Sequence, residues 1–214
     1  MDNATYVELP TAACSNTKAV VAVFDFDKTL TIKHSFWRFL RTLHGPVRFW
    51  WALVPLSPPL IRFAAGRLPL LQMRERMMSY FLDGFPAGRW HEEARRYATS
   101  TIPAWIDPTA FARLRWHQDQ GHRTILISNA PEDYLRPWAD LVGINDVSGS
   151  IFEIRDGTLT GSLVGTHCFG EEKVVRLKTL LGNLDDYEIY AYGDSSGDNE
   201  LLAAADHPFY RTFA

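Results

Sequence analysis

Residues 19–31 read AVVAVFDFDKTLT, an apolar run that ends in two carboxylates. The run from Ala19 to Phe24 is short and rich in valine, which predicts a buried β-strand. Side chains two residues apart share one face of an extended chain, so Asp25 and Asp27 are expected to point the same way. Ligands of open α/β sheets bind just outside the carboxyl ends of the strands. The stretch therefore predicts a catalytic pair; the alternative is a turn in which both aspartates only cap the next segment.

A second acidic loop follows another predicted strand, Glu188–Tyr192, and reads GDSSGD over residues 193–198. Its glycines allow a tight turn and a close approach of the backbone to a ligand. Clustered carboxylates repel one another unless a cation lies between them, and their oxygens are hard ligands that suit Mg²⁺. The acids at 25 and 27 therefore predict a magnesium site, to which the later loop is expected to add ligands.

Three further polar residues stand near the starts of two predicted helices. Ser128 and Asn129 follow a short predicted strand, Thr124–Ile127, at a point where free backbone N–H groups favour an anion. The alternative for Ser128 is an ordinary helix cap. Lys173 lies in the first turn of a predicted helix, Glu171–Leu181, where the helix dipole disfavours a cation unless an anion is nearby; the alternative is a solvated lysine.

Bulk properties restrict the class of protein. The chain has 214 residues, enough for one substantial core with a small insertion. Its net charge of −3 argues against a general nucleic-acid binder. Two cysteines, Cys14 and Cys168, predict no disulfide framework, and no secretory signal is visible before Lys18, so a cytoplasmic location is expected.

The net charge hides a basic segment. Residues 38–76 carry one acid, Glu75, and a net charge of +6, which leaves −9 for the rest of the chain. Such a separation indicates a surface with a function. The seven basic residues are Arg38, Arg41, Arg48, Arg62, Arg67, Arg74 and Arg76.

Residues 34–59 of the same region are rich in aromatic side chains. The uncharged gap between Arg48 and Arg62 is 13 residues, whereas a membrane-spanning helix needs about 20. Prolines at 55, 58 and 59 would also break such a helix. Two interpretations stay open: the aromatics form the core of a folded insertion, or residues 36–76 lie on a bilayer surface with the arginines toward anionic headgroups.

Helix and turn signals in the rest of the sequence predict the domain organisation. Amphipathic helices are predicted over 68–80 and 89–101, and a proline-rich hinge follows at 102–108. We therefore expect an all-helical insertion at 34–108 within a core made of 18–33 and 109–214, after a leader at 1–17. A hairpin is predicted around Asp156-Gly157, and a last helix and strand over 201–205 and 207–213.

The order of these elements resembles the haloacid dehalogenase (HAD) superfamily of phosphatases. DFDKTLT is similar to its first motif, Ser128 to its second, Lys173 to its third and GDSSGD to its fourth. The helical insertion resembles the branch that includes phosphoserine phosphatase, and the aromatic insertion and the chain ending resemble bacterial phosphatidylglycerophosphatase C. This resemblance implies an α/β fold in which helices flank a Rossmann-like parallel sheet and an inserted helical cap covers it.

The resemblance also implies the role of each site residue. Asp25 would attack phosphorus to form an aspartyl-phosphate, and Asp27 would protonate the leaving group and then activate water. Mg²⁺ would be held by the carboxylates of Asp25 and Asp194 and by the main-chain carbonyl of Asp27. Asp198 would hold the ion or its bound water molecules from further out. Ser128, Asn129 and Lys173 would bind the phosphoryl group. The sequence departs from the family at Lys28, where glycine is frequent.

The predicted activity is therefore that of a Mg²⁺-dependent phosphomonoesterase. Its substrate is expected to be a phospholipid phosphate, such as phosphatidylglycerol phosphate, or a soluble ester, such as phosphoserine or a sugar phosphate. A different class is a non-catalytic protein that binds a membrane surface or a partner. The complete set of acids, serine and lysine argues against that class, because a binding module does not need it.

Overall fold

The computed structural model describes residues 18–52 and 54–213. Within them, a parallel sheet has the strand order β3-β2-β1-β6-β7, and an antiparallel hairpin joins β4 to β5. This arrangement confirms the predicted fold class. The strands are β1 (Ala19–Phe24), β2 (Arg123–Pro131), β3 (Asp146–Ser150), β4 (Phe152–Arg155), β5 (Thr158–Leu163), β6 (Tyr187–Gly193) and β7 (His207–Tyr210).

Helices flank the sheet and form the region between β1 and β2. They are α1 (Ser35–His44), α2 (Pro46–Ala52), α3 (Ser57–Ala64), α4 (Leu70–Leu82), α5 (Ala87–Ser100), α6 (Pro108–Asp119), α7 (Glu132–Val142), α8 (Glu171–Leu181) and α9 (Asn199–Ala203). Short 3₁₀ turns cover Ile102–Trp105, Leu184–Asp186 and Ser196–Asp198. None of the helices in the described part of the chain is long and apolar enough to cross a membrane.

The central strand β1 is apolar on both faces because it separates two hydrophobic clusters. Val21 and Val23 pack into a cluster with Leu177 of α8, while Ala22 and Phe24 belong to a larger cluster on the other side. All four β1 residues are fully buried. A strand buried on both faces reads as a continuous apolar run, which is the pattern that the sequence shows.

The aromatic side chains of the helical insertion divide into two groups. Phe39 is fully buried, and its ring centroid lies 5.0 Å from Trp90, 4.9 Å from Tyr97 and 5.4 Å from Tyr134 of α7. These contacts join the insertion to the sheet domain. In contrast, Trp50 and Trp51 of α2 are exposed. The core interpretation of the aromatic residues therefore holds for one group only.

The hairpin packs directly on α4 and fixes the position of this helix. A side chain at Gly161 would meet the Ser79 Cα atom at 2.5 Å, and Gly161 also has a positive φ of 76°. Glycine is needed there because both the close approach and the backbone conformation exclude other residues. The predicted hairpin turn is also observed, with positive φ angles at Asp156 and Gly157.

Several predicted boundaries shift in the structure. The predicted helices 68–80 and 89–101 run from Leu70 to Leu82 and from Ala87 to Ser100, and the last helix is Asn199–Ala203. The second strand continues past Ile127 to Pro131, with a register shift against β3, and the last strand ends at Tyr210. The predicted leader at 1–17 lies outside the described residues, and the domain boundaries stay a prediction.

Candidate active site

Asp25 stands at the carboxyl end of β1, beside the end of β6. Its N–H donates to the Tyr192 carbonyl at 2.9 Å, which continues the parallel pairing of the two strands by one residue. The side chain is 8% exposed, and its Oδ1 atom accepts a hydrogen bond from Lys173 Nζ at 2.6 Å. Among the described residues, none donates a hydrogen bond to Oδ2. Lys173 thus anchors one carboxylate oxygen and leaves the other without a protein donor in the described part of the chain.

Lys173 is buried in the first turn of α8 between two carboxylates. Its Nζ atom lies 2.6 Å from Asp25 Oδ1 and 2.5 Å from Asp198 Oδ1. Burial lowers the pKa of Lys173, but the two carboxylates outweigh it and hold this pKa above its usual value. A buried ammonium is tolerated only when it is paired in this way. The two carboxylates are the nearby anions that the sequence position of Lys173 requires.

Asp198 is fully buried and holds the loop 193–198 in shape. Its Oδ2 atom accepts hydrogen bonds from Asp194 N, Ser195 N and Ser195 Oγ at 3.2, 3.0 and 2.8 Å. Burial raises the pKa of Asp198, and the charge and hydrogen bond of Lys173 more than reverse this, so the net shift is downward. Gly193 is needed beside it, because a Cβ atom there would lie 2.5 Å from the Asp198 Cβ atom.

Three carboxylates form a group that could hold a metal ion. Asp25, Asp194 and Asp198 each offer an oxygen atom, and these atoms lie within 4.8 Å of one another. Burial is the main cause that raises the pKa of Asp25 to about 6. The charge of Lys173 lowers this pKa, and the charges of Asp198 and Asp27 raise it further. Burial and then Asp198 also raise the pKa of Asp194. Carboxylates this close together repel one another unless a cation lies between them, and a set of oxygen donors fits Mg²⁺.

Asp27 lies beyond β1, in the turn that leads to α1. Its Oδ1 atom accepts from the Ser35 N–H at 2.8 Å, and its Oδ2 atom is 3.8 Å from His34 Nδ1. The carboxylate of Asp27 is not a member of the metal group described above. Its charge nevertheless raises the pKa of Asp25, so the two side chains act in one electrostatic environment. Asp27 is the more exposed of the two, which suits exchange of a proton with a ligand.

A hydrogen-bond network that the sequence did not predict positions the Asp27 carboxylate. Tyr134 OH lies 2.6 Å from Ser35 Oγ, and Tyr97 OH donates to the Ser35 carbonyl at 2.8 Å. Ser35 in turn donates its N–H to Asp27. The three residues belong to α7, α5 and α1, so no local pattern in the sequence could indicate that they meet.

Ser128 and Asn129 lie in the last part of β2. Ser128 is 2% exposed, and its Oγ atom accepts from the Ala130 N–H at 3.3 Å. It does not cap α7, because the residue before that helix is Pro131 and the hydrogen bond of Ser128 goes to Ala130, which precedes the helix. The cap alternative is therefore wrong. The Ser128 hydroxyl keeps its own proton to donate to an anion.

Arg74 of α4 reaches Asn129 from the helical insertion. With its amide oxygen turned toward α4, Asn129 accepts from Arg74 at 2.5 Å and donates to Ser150 Oγ at 3.1 Å. Burial lowers the pKa of Arg74, and Asp27, Tyr134 and Asp25 counteract this by raising it. The guanidinium is thus within electrostatic reach of both aspartates of the first motif. In the sequence, nothing distinguishes Arg74 from the other arginines of the basic segment.

Lys28 adopts a left-handed backbone conformation between α1 and the two aspartates that follow β1. Its φ is 61°, a region that costs a residue with a Cβ atom about 1–2 kcal/mol relative to glycine. The Lys28 N–H donates to Thr31 Oγ1 at 3.3 Å, which helps to hold this turn. The conformation gives a physical reason why glycine suits this position.

The family assignment rests on a match along most of the chain. The family model of the haloacid dehalogenase-like hydrolases matches residues 22–203, which include every site residue described above. This chain belongs to the haloacid dehalogenase-like hydrolases. It is therefore an enzyme. The non-catalytic alternative is wrong.

Individual proteins agree with this assignment. The hydrolase is 34% identical to the Protein CicA of Caulobacter vibrioides over 199 residues, covering 91% of this chain and 86% of CicA. It is 31% identical to a histidinol-phosphatase of Neisseria meningitidis over 134 residues, covering 58% and 60% of the two chains. A phosphoserine phosphatase structure with a phospho-aspartyl intermediate analogue has a TM-score of 0.56 at 18% identity, covering 88% and 84%. The last likeness concerns the fold alone.

Proposed function

We propose that this hydrolase is a Mg²⁺-dependent phosphomonoesterase that works through an aspartyl-phosphate. The supporting observation is the buried arrangement in which Lys173 Nζ bridges Asp25 and Asp198 at 2.6 and 2.5 Å while Asp194 completes a carboxylate group. Phosphoryl transfer depends mainly on positioning and on neutralising charge, which these residues supply.

The first step forms a bond between Asp25 Oδ2 and phosphorus and breaks the bond from phosphorus to the ester oxygen. Asp27 donates its proton to the departing alkoxide. In the second step Asp27 takes a proton from water, whose oxygen bonds to phosphorus as the bond to Asp25 breaks. Inorganic phosphate and the alcohol leave, and both aspartates return to their initial states.

The remaining residues bind and orient the phosphoryl group. Lys173 holds Asp25 Oδ1, which keeps Oδ2 directed toward the reactant, and Ser128 donates its hydroxyl proton to a phosphoryl oxygen. Asp25, Asp194 and the main-chain carbonyl of Asp27 would hold Mg²⁺, with Asp198 behind them. A bound Mg²⁺ supplies charge neutralisation at the phosphoryl oxygens. Ser35 positions Asp27 through its N–H.

A direct test measures phosphate release from a small aryl phosphate with Mg²⁺ and with EDTA. We expect release with Mg²⁺, loss of at least about 99% of it with EDTA, and recovery when Mg²⁺ is added back in excess. Thermal unfolding in both conditions checks that the chelator does not unfold the protein. Equal rates with and without EDTA would contradict the proposed role of the metal.

Two substrate classes are supported by different observations. A soluble ester is supported by the Arg74 guanidinium close to the site, since its planar donors suit an anionic group. It is also supported by the name of one relative, histidinol-phosphatase. A phospholipid phosphate is supported by the exposed apolar side chains of α2 and α3. A panel containing phosphatidylglycerol phosphate in micelles, phosphoserine, histidinol phosphate and sugar phosphates compares kcat/KM for the two classes.

Arg74 is expected to bind the substrate. Replacing Arg74 by alanine should lower kcat/KM by about 10–100-fold, because a charge-assisted hydrogen bond in a partly buried site is lost. Arg76→Ala, two residues further along α4 at an exposed position, is the matched control and should leave kcat/KM within about twofold. If both variants match the wild-type protein, Arg74 does not contact the substrate.

The Arg74→Ala variant also shows which part of the substrate Arg74 binds. If the guanidinium binds the phosphoryl group, the loss should be equal for an aryl phosphate and for the preferred substrate. If it binds an anionic group on the leaving alcohol, the loss should appear for the preferred substrate only. Equal thermal unfolding of both variants shows that the change in rate is local.

A further inference from the structure

Two consecutive short helices at one end of the insertion expose a set of large apolar side chains. Val47, Trp50 and Trp51 of α2 are 71%, 58% and 71% exposed. The same segment continues with exposed side chains in the turn before α3 and in α3 itself. We call the set the α2–α3 surface; its members are Val47, Trp50, Trp51, Val54, Ile61 and Phe63.

The exposure follows from how these helices pack. The helix α2 buries Phe49 and Ala52 and directs its two tryptophans away from them, and α3 has no buried side chain at all. Only the Leu60 side of α3 packs against the core, so its other apolar side chains stay exposed. A contiguous exposed apolar patch of this kind is uncommon on a monomeric protein and indicates an interaction site.

The charged side chains of the segment that carries the surface have one sign. No aspartate or glutamate occurs between Lys28 and Arg74 in the sequence. Arg48, Arg62 and Arg67 are exposed, and none of them forms an ion pair with any residue that the structure describes. A partner that complements this surface therefore combines an apolar layer with negative charge.

We propose that the α2–α3 surface binds an anionic lipid bilayer. Tryptophans and aliphatic side chains would enter the boundary between headgroups and acyl chains, and the arginines would contact the phosphates of anionic lipids. The uncharged stretch of 13 residues is too short to span a bilayer, which requires about 20, but it is long enough to lie on one. Charge complementarity favours this partner over a second copy of the chain, whose own α2–α3 surface would be equally basic.

The surface adjoins a groove between the insertion and the hairpin. This groove has a volume of about 680 Å³, and Pro55, Leu56 and Pro59 form one wall of it while Glu75 and His167 lie on other walls. Binding of a bilayer to the α2–α3 surface would bring the lipid headgroups next to this groove. The inference does not depend on the phosphatase reaction, since docking on a membrane requires none of the catalytic residues.

Sedimentation with vesicles tests the inference. The full chain is mixed with vesicles of phosphatidylcholine that contain phosphatidylglycerol, and with vesicles of phosphatidylcholine alone, at low and high salt. We expect the protein to sediment with the anionic vesicles at low salt, and to bind at least about tenfold less to neutral vesicles or at high salt. Failure to bind the anionic vesicles at low salt overturns the inference.

Matched variants connect the binding to this surface. The double variant Trp50→Glu/Trp51→Glu should bind anionic vesicles at least about tenfold more weakly, since burial of two aromatic side chains is lost and repulsion is added. Leu141→Glu on α7, where Leu141 is 60% exposed, is the control and should bind like the wild-type protein. Equal binding by the double variant and the wild-type protein overturns the inference.

Two further readouts separate the remaining outcomes. Hydrolysis of a soluble aryl phosphate should be the same in the wild-type protein and the double variant; an inactive wild-type protein that still binds vesicles would refute the proposed function and leave this inference intact. Light scattering measures the mass in solution. A dimer that the double variant abolishes would mean that a second copy covers the surface, and would overturn the lipid assignment.

Discussion

Replacement of Asp25 by asparagine is expected to abolish turnover, with a loss of at least about 10⁴-fold in kcat. An amide of the same shape cannot attack phosphorus, while the backbone bond from residue 25 to Tyr192 and the pairing of Lys173 with Asp198 remain. The fold should therefore survive, with a melting temperature within several degrees of the wild-type value. Rates of phosphate release and thermal unfolding measure the two effects.

Trapping of the intermediate makes the test specific for a nucleophile. Wild-type protein quenched in acid during turnover of a labelled substrate should carry covalent phosphate that alkali releases, and the Asp25→Asn variant should carry none. The exposed Asp185→Asn is the matched control and should retain both activity and labelling. Covalent phosphate on the Asp25→Asn variant would assign the nucleophile to another residue.

Replacement of Lys173 by methionine is expected to reduce both stability and activity. Methionine has a similar length but leaves Asp25 and Asp198 buried without a cation, which costs about 3–5 kcal/mol of unfolding free energy near neutral pH. Activity should fall by about 10²–10³-fold or more, because Asp25 loses its anchor and the phosphoryl group loses a positive charge. Chemical denaturation and kinetics measure the two losses; Lys178→Met, exposed on the same helix, is the control.

The stability loss of the Lys173 variant should depend on pH. Without the ammonium, the pKa values of the Asp25 and Asp198 carboxyl groups in the folded protein rise above their values in the unfolded chain. At a pH between the unfolded-state and folded-state pKa values, the folded protein therefore binds more protons than the unfolded chain. Stability then increases as pH falls through this window. Asp25 already behaves so in the intact protein, with a pKa of about 6 against an ordinary 3.8. The deficit relative to wild type should therefore be smaller at pH 5 than at pH 8; an equal deficit would contradict the pairing.

Local sequence patterns were sufficient to predict the parallel sheet and to nominate the residues of the candidate site. A buried strand that ends in Asp25 and Asp27 can be recognised locally, because the apolar run and the acids are adjacent in the chain. The lysine at the start of α8 was an anomaly that required an anion nearby. Since parallel strands end at one edge of a sheet, the order of these motifs was enough to predict that they converge.

Which side chains contact one another in the site follows from tertiary packing. Lys173 and Asp25 are 148 positions apart in the chain, and no local pattern specifies a contact over that distance. The resemblance to the family predicts that Asp198 lies near the metal. Its hydrogen bonds to Lys173 and to the loop N–H groups are seen only in the folded chain. Helix and strand signals arise from neighbours along the chain, whereas such contacts arise from packing.

The helical insertion shows the same division most clearly. Seven arginines of residues 38–76 are equivalent by composition, yet only the packing of α4 against the hairpin at Gly161 brings Arg74 to Asn129. Likewise Phe39 and Trp50 are aromatic residues of adjacent helices, and one is fully buried while the other is exposed. Composition determines how much apolar and basic surface a segment carries. The fold decides which part of that surface becomes core, site or exposed face, because burial depends on which elements pack together.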